Sequence, residues 1–172
     1  MGTFGLTLAV EPPPLPAATS FQDFYQRHAA TVYRAALRVT GNDADAEDAL
    51  QTVFLRILKL DPSPDLAAVN DSYLRRAATN AAIDILRQKA SRGELPLDNG
   101  PDQPGPASTA LLKEQVRRAL SRLDPEDAQL FVLRNLEGFS YDELAGQFAI
   151  ERGTVASRLH RIRQALLKLI TR

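Results

Sequence analysis

The sequence contains no cysteine, no tryptophan, one methionine and two histidines among its 172 residues. The absence of cysteine excludes disulfide bridges and thiolate metal sites, and it is typical of proteins in a reducing compartment. Two histidines are too few for a multi-histidine centre, so we predict neither a metal nor a cofactor. No apolar run approaches the roughly 18 residues of a membrane span, and the N-terminus lacks the features of a secretory signal. We therefore expect a soluble, cytoplasmic protein without membrane insertion.

Charge is balanced overall but unevenly distributed along the chain. The 21 lysine and arginine residues equal the 21 aspartate and glutamate residues, which excludes a uniformly basic nucleic-acid binder. Residues 151–172, however, contain six basic side chains and one acidic side chain, Glu151. This basic C-terminal end is the segment best suited to a polyanionic partner.

Proline and glycine mark the boundaries of the folded segments. Residues 1–18 combine an apolar start with the proline-rich EPPPLP at 11–16, and we expect this tail to be disordered. Seven of the fourteen residues from Gly93 to Pro106 are proline or glycine, a density at which no helix or central strand is expected. We therefore predict two small domains, residues 19–91 and 109–172. A flexible linker over 92–108, with an extended reach of about 56 Å, joins them.

Apolar residues recur at three- and four-residue spacing in both domains, a period typical of amphipathic helices. The pattern predicts helices at 21–39, 43–58, 72–90, 109–122, 125–137, 140–148 and 152–170. Gly41 and Asn42 are expected to end the first of these helices, and the Asp124-Pro125 pair is expected to cap and open the fifth. The third helix carries alanines at its interior positions, and such small side chains let a neighbouring helix approach closely. Alternating-polarity strands are absent from the sequence, so we predict an all-α fold.

The last two predicted helices have the features of a helix-turn-helix, a short helix joined by a tight turn to a basic one. Ser140 with Glu143 three residues later is a capping box for the short helix. Ala145 supplies the small side chain where the two helices cross. Ala149 stands where a glycine is usual, and its left-handed conformation costs about 1 kcal/mol. Glu151 is a poor cap for the second helix.

The basic helix turns its apolar residues inward, which leaves one face for DNA. We predict that this face contains Thr154, Ser157, Arg158 and Arg161. Hydroxyl and guanidinium groups can donate hydrogen bonds to base edges in the major groove, and arginine is the side chain that most often contacts guanine there. The alternative is a surface helix whose arginines are only solvated.

A second basic element lies on the helix at 72–90. Its charged residues are Arg75, Arg76, Arg87, Lys89 and the following Arg92, against Asp84 alone. With Tyr73 at its start and Asn80 in its middle, this helix could bind a nucleic-acid backbone and an unpaired base. The alternative is again a solvated face. No glycine-rich phosphate loop or Ser-His-Asp spacing appears in the sequence, and we expect no enzymatic activity.

Residues 123–167 closely resemble the C-terminal domain of bacterial RNA polymerase sigma factors of the extracytoplasmic-function group, within the sigma-70 family. The most specific segments are LRNLEGFSYDELA at 133–145 and GTVASRLHRIRQAL at 153–166. In the first half, DAEDALQTVFLRIL at 45–58 resembles the segment that docks on the polymerase clamp. YLRRAATNAAIDILRQ at 73–88 is similar to the helix that engages the −10 promoter element. The resemblance covers about 21–90 and 109–170, in the family's order.

This resemblance implies a dissociable subunit that binds the clamp and flap regions of core RNA polymerase and promoter DNA. Its polymerase-binding residues would be Glu47, Asp48, Gln51 and Arg56. Its −10 residues would be Tyr73, Arg76, Asn80 and Arg87, beside the loop 61–72. Its −35 residues would be Arg152, Thr154, Ser157, Arg158, His160 and Arg161. A separate inhibitor, an anti-sigma factor, is a further partner that the family implies.

Two other functions remain compatible with the residues alone. A stand-alone transcriptional regulator could use the same helix-turn-helix, with the first half as a dimerisation or sensing domain. A helical protein-interaction domain without DNA binding would have the same periodicity. Binding to core polymerase distinguishes a sigma factor from the regulator, and failure to bind promoter DNA with polymerase present would favour the interaction domain.

Overall fold

The computed structural model describes residues 20–60, 65–95 and 106–171, and these residues form seven α-helices and no strand. The predicted all-α class is therefore confirmed, whereas the predicted tail at 1–18 lies outside the described residues. The helices are α1 (Phe21–Thr40), α2 (Asp43–Leu58), α3 (Asp71–Ser91), α4 (Pro106–Arg122), α5 (Pro125–Asn135), α6 (Tyr141–Phe148) and α7 (Arg152–Ile170).

The ends of the first helices follow from local sequence. The side chain of Ser20 accepts a hydrogen bond from the backbone N–H of Asp23 and caps α1. Gly41 ends α1 in the left-handed conformation, with φ at 74°, and Asn42 then caps α2 through the backbone N–H of Asp45. The prediction that Gly41 and Asn42 separate two helices is confirmed, because glycine adopts positive φ without steric cost.

Helices α1, α2 and α3 pack into a first unit around Phe24, Val32 and Val53. In α3, Ala78 and Ala82 are completely buried, which confirms that small side chains allow a close helix contact. Within this unit α3 packs against α1 and α2, and its other side contacts the later helices α4 and α5.

One acidic residue of α2 has a different role from the one its position suggests. Asp45 lies in the acidic first turn of α2, where a solvent-exposed side chain is expected, yet Asp45 is buried and only 5% exposed. Its carboxylate lies 2.6 Å from the Nζ of Lys89 in α3. Asp45 therefore joins α2 to α3, and the pairing with a residue 44 positions away has no local sequence signal.

The linker prediction needs a correction at its second end. Helix α4 begins at Pro106, so residues 106–108 are helical although the sequence assigns them to the linker. Pro106, which suggested a break, is tolerated in the first helical turn. N–H groups in this turn make no intrahelical hydrogen bond, so a proline there removes none. Residues 96–105 lie outside the described part of the chain.

Helices α4 to α7 form a second unit. Its core contains the fully buried side chains of Leu130, Leu133, Leu144 and Leu159. Asp124 caps α5 through the backbone N–H groups of residues 126 and 127, as predicted from the Asp-Pro pair. In the described residues, no helix combines the length and apolarity needed to cross a bilayer. The two units contact each other mainly through α3, which packs against α4 and α5, and also through the end of α1.

We predict that Gly41→Ala lowers the free energy of unfolding by more than Gly138→Ala does. Both glycines have positive φ, near 75°, so alanine costs about 1–2 kcal/mol of backbone strain at each. A Cβ at Gly41 would also displace the guanidinium of Arg117, which hydrogen-bonds the carbonyl of Val39. That lost bond adds about 0.5–1.5 kcal/mol. At Gly138 a Cβ meets nothing within 4 Å.

Chemical denaturation of the two variants measures this difference. Gly146→Ala is the control, because it lies inside α6 in open space and is expected to stabilise the chain by about 0.5–1 kcal/mol. Equal losses for Gly41→Ala and Gly138→Ala would show that Arg117 contributes nothing at this position.

Candidate nucleic-acid interface

Helices α6 and α7 are joined by a three-residue turn, residues 149–151. Ser140 and Glu143 form both hydrogen bonds of a capping box at the start of α6. Ala149 ends α6 in the left-handed conformation, with φ 52° and ψ 43°. Glu151 precedes α7 and makes no side-chain capping bond. Each of these three local predictions is confirmed.

The inner face of α7 is buried, and this leaves its outer face free. Val155, Leu159 and Ile162 are at most 2% exposed and pack in the core of the second unit. The exposed set contains Arg152, Thr154, Ser157, His160 and Arg161. This set presents hydroxyl, imidazole and guanidinium donors along one helix, an arrangement that suits contact with nucleic acid.

The exposed polar residues at the start of α7 differ in their local partners. The hydroxyl of Ser157 donates a hydrogen bond to the carbonyl of Thr154 at 3.0 Å. Arg152 has a side chain 70% exposed, and its Nε lies 3.6 Å from the carboxylate of Asp142. Such an exposed ion pair contributes little stability, so Arg152 can exchange Asp142 for a phosphate at low cost.

Arg158 differs from the prediction, because it is not on the free face. Its Nη2 and Nε lie 2.6 Å and 3.0 Å from one carboxylate oxygen of Asp127 in α5, and its side chain is 19% exposed. Partial burial disfavours its charge, but the hydrogen bonds and charges of Asp127 and Glu126 outweigh that effect and raise the pKa of Arg158. The reason is its position, three residues after Val155 and four before Ile162, which places it beside the buried stripe.

The capping box gives α6 a pH-dependent start. Hydrogen bonds from the backbone and side chain of Ser140 lower the pKa of Glu143 below its ordinary value of 4.5. A lowered folded-state pKa contributes stability that is complete above the unfolded pKa and is lost as the pH falls through the folded pKa.

We predict that wild type is more stable than Glu143→Ala at neutral pH and that this difference shrinks as the pH falls to about 3. Thermal melts of both proteins across this range measure the difference. A difference that stays constant below the ordinary pKa of Glu143 would contradict the capping role of its ionised carboxylate.

On α3, Tyr73 and Asn80 line a surface groove of about 360 Å³ together with Arg76. The tyrosine is 48% exposed. A neighbouring cavity of about 390 Å³ lies between the end of α2 and the loop before α3, with Tyr73 again in its wall. The sequence predicted a role for the loop 61–72 but did not identify this cavity, whose described lining includes Asp65, Val69 and Asn70.

Two of the −10 candidates, Arg76 and Arg87, contact the second unit. Arg76 donates to the carbonyl of Gln147 at 3.4 Å, and its guanidinium lies 5.7 Å from the ring centre of Phe148. Arg87 donates to the carbonyl of Leu123 at 3.1 Å. The structure therefore brings Tyr73, Arg76 and Asn80 together on one open groove, and Arg76 and Arg87 contact the second unit.

Sequence reasoning missed Glu137, which follows α5. Its side chain is completely buried, and its two carboxylate oxygens each lie 2.7 Å from an arginine of the first unit, Arg38 in α1 and Arg75 in α3. Arg75 also donates to the backbone carbonyl of Glu137. Nothing local in the sequence marks a glutamate whose partners lie 99 and 62 residues away.

All four predicted polymerase-binding residues are on the exposed side of α2. Glu47, Asp48 and Gln51 are exposed, and Arg56 is 62% exposed with its Nη2 3.8 Å from Asp84 of α3. A groove of about 330 Å³ follows this face between α2 and α3 and includes the exposed Leu55. Leu58 follows the apolar spacing of α2, but it is 53% exposed because it lies at the end of the helix, four residues before Pro62. The exposed Leu55 and Leu58 add apolar area to an otherwise charged and polar surface of α2.

No group of three or more histidine, cysteine, aspartate or glutamate side chains able to hold a metal ion occurs among the described residues.

Known proteins share both units of this chain. The family profile described as Sigma-70 region 2 matches residues 24–92, and that described as Sigma-70 region 4 matches residues 113–166. The ECF RNA polymerase sigma factor SigE of Mycolicibacterium smegmatis is 32% identical over 87% of this chain and 61% of its own length. RNA polymerase sigma factor CarQ of Myxococcus xanthus is 31% identical over 90% of this chain and 91% of its own.

Two further comparisons agree. The ECF RNA polymerase sigma factor SigM of Mycobacterium tuberculosis is 30% identical over 88% of this chain and 77% of its own length. Among solved structures, the sigma factor RpoE of Bartonella quintana, crystallised with the anti-sigma factor NepR, has the same fold. Its TM-score is 0.50 at 19% identity, over 89% of this chain and 98% of that one. By its two matched regions and by relatives such as SigM, of which it covers 77%, this chain belongs to the extracytoplasmic-function sigma factors of bacterial RNA polymerase.

Proposed function

We propose that this chain binds core RNA polymerase and directs promoter-specific transcription initiation by recognising −10 and −35 elements. The main support for the proposal is that one chain contains both parts. Sigma-70 region 2 matches the first unit, and Sigma-70 region 4 matches the second unit, in which α7 has a basic, exposed side. The chain itself performs no chemistry in this account, since the polymerase supplies the reaction. It acts where the polymerase does, in the cytoplasm.

We propose that α6 and α7 act as a helix-turn-helix and that α7 lies in the major groove of the −35 element. Thr154, Ser157 and Arg161 would face the bases, because they lie on the side of α7 opposite its buried stripe. Arg152 and His160 lie toward the edges of this face and would contact phosphates. Arg158 would reach DNA only from the flank, where Asp127 holds its guanidinium in a fixed orientation.

For the −10 element, we propose that Tyr73 and Asn80 contact the non-template strand. Both line the groove on α3, and Tyr73 offers an exposed ring on which an unpaired base can stack. Arg76 and Arg87 would supply phosphate contacts once they leave the second unit. Two weak DNA contacts joined by a linker reinforce each other by about 10²–10⁴-fold, because the second binding event becomes intramolecular.

We propose that the clamp of core polymerase binds the face of α2 that contains Glu47, Asp48, Gln51 and Arg56. The charged rim and the exposed Leu55 and Leu58 of this face match the composition of a protein interface. Contacts of the second unit with the polymerase flap, and the existence of an anti-sigma factor, stay predictions from the family.

Co-elution with core polymerase tests this assignment. Wild type is expected to co-elute, and a double variant Asp48→Ala, Gln51→Ala is expected to lose most of this binding. Gln26→Ala, which changes an exposed residue of α1, is the control and should bind like wild type. If the chain does not bind core polymerase but binds palindromic DNA by itself, it is a stand-alone regulator and the proposal is wrong.

A further inference from the structure

The first turn of α5 lies beside α7, and two of its carboxylates bind one arginine of that helix. Asp127 accepts hydrogen bonds from the Nε and the Nη2 of Arg158, at 3.0 Å and 2.6 Å, through a single oxygen, Oδ1. Glu126 accepts a bond from the same Nη2 at 3.4 Å. One side of the guanidinium of Arg158 is therefore attached to α5, although the residue belongs to α7.

Arg158 is held more firmly than the other arginines of α7. The side chain of Arg158 is 19% exposed and that of Asp127 is 34% exposed, whereas Arg152, Arg161 and Arg163 are exposed residues. Two hydrogen bonds between ionised groups that are partly shielded from water hold a side chain better than an exposed ion pair does. Because the free chain already orients this guanidinium, DNA binding has less side-chain freedom to remove.

The bonds to α5 determine which donors of Arg158 remain for DNA. A guanidinium carries five N–H groups on three nitrogens, and bidentate contact with a guanine uses two of these groups side by side. Nε and Nη2 donate to carboxylates, whereas Nη1 donates to no acceptor in the described part of the chain. While these bonds hold, no pair of donors on adjacent nitrogens is free for a guanine. The free Nη1 suits a single phosphate oxygen instead.

The position of Arg158 on α7 also favours a phosphate. Arg158 comes four residues after Thr154 and three before Arg161, so it adjoins both of them, at the edge of the proposed DNA face next to the buried stripe. An α-helix with its side chains fills a major groove about 12 Å wide, so side chains on its flank meet the phosphates of the groove wall. Asp127 and Glu126 stand on this same flank, and their charges repel any phosphate that does not meet Nη1.

We propose that Arg158 donates from Nη1 to one phosphate beside the −35 element, and that Asp127 is the positioning residue that directs it there. This inference rests on the proposed function, because it concerns how α7 is placed on that element. In a correctly placed complex the phosphate meets the oriented Nη1, whereas in a misplaced complex it meets the carboxylates of α5. Asp127 therefore increases the preference for promoter DNA over unrelated DNA, although its own charge is repelled by both.

Binding of the full-length chain, in complex with core polymerase, to two DNA fragments tests this proposal. One is a promoter fragment selected by transcription with the complex, and the other is the same fragment with a scrambled −35 element. The measured quantity is the ratio of the two affinities at one salt concentration. Arg158→Ala and Asp127→Ala should each lower this ratio about 2- to 12-fold, the effect of one directed hydrogen bond. The double variant should lower it no further than Arg158→Ala, because Asp127 acts only through Arg158.

Two further variants separate orientation from charge. Arg158→Lys keeps the positive charge but lacks the planar fork, so it should lower the ratio as Arg158→Ala does. Glu126→Ala removes a negative charge from the same turn, but Glu126 is 69% exposed and makes only the 3.4 Å bond, so the ratio should change by less than about twofold. A wild-type ratio for Arg158→Lys, or equal falls for Glu126→Ala and Asp127→Ala, would overturn the positioning role. A loss of preference at one −35 base pair alone would overturn the phosphate contact.

Nitrogen-15 NMR of the Arg158 guanidinium tests its orientation in the free chain, without DNA or polymerase. Wild type should give separate Nη1 and Nη2 signals, because the bonds to Asp127 slow rotation of the guanidinium, and Asp127→Ala should merge them. The cap of α5 is kept in this variant, since Asp124 binds backbone N–H groups. Merged signals in wild type would overturn the positioning role. Separate signals together with no preference for the promoter fragment would refute the proposed function and the phosphate contact, but not the orientation of Arg158 by Asp127.

Discussion

Leu159→Ala is expected to lower the free energy of unfolding by about 2–5 kcal/mol, the largest effect of any single change considered for this chain. Leu159 is completely buried in the middle of α7. Its neighbours in the core come from helices that hold α7 in place, so a smaller side chain leaves a cavity instead of a repacked core. The recognition face of α7 would then lose its fixed orientation.

Chemical denaturation followed by circular dichroism measures this loss. Leu167→Ala is the matched control, because it removes the same atoms from the same helix at a side chain that is 56% exposed. Its effect should stay within about 0.5 kcal/mol. Similar losses at both positions would show that α7 is not anchored by its inner face.

Arg161→Ala is expected to weaken binding to the −35 element by about 1–3 kcal/mol, which is about 5- to 150-fold. The loss comes from the contact with one base pair. Arg161 lies on the exposed side of α7 and makes no hydrogen bond or ion pair with the described residues of the chain. Its guanidinium is therefore available for a guanine edge, and its removal should relax specificity at that position alone.

Binding of the polymerase-bound chain to promoter fragments with single −35 substitutions measures this effect. Arg163→Ala removes the same charge from the same helix two residues later, on a different side of α7. It should weaken all sequences about equally, if at all. An equal loss on every sequence for Arg161→Ala would show that this residue contacts phosphate only.

Several features of the fold could be predicted because their causes are local. Gly41 and Asn42, the capping box of Ser140 with Glu143, and the left-handed Ala149 each act within a few residues of the chain. Hydrophobic spacing also identified the inner face of α7. Since this spacing determines which residues remain outside, it placed Arg161 correctly on the exposed side.

Other features were not predictable because they depend on distant residues. Arg158 was assigned to the DNA face, yet Asp127, 31 residues earlier, holds it on the flank of α7. The pairing of Glu137 with Arg38 and Arg75 depends on how two units meet, which local periodicity does not describe. Leu58 followed the helical spacing, but the helix ends there and leaves it exposed.

In vitro transcription with purified core polymerase, on a library of fragments from the source genome, tests the central claim most directly. The account predicts that core polymerase alone starts transcripts at no preferred position. Adding the chain should produce discrete start sites that share −10 and −35 sequences, and Arg161→Ala should alter the preference at one −35 position. Transcripts whose start sites remain as scattered with the chain as without it would contradict the account.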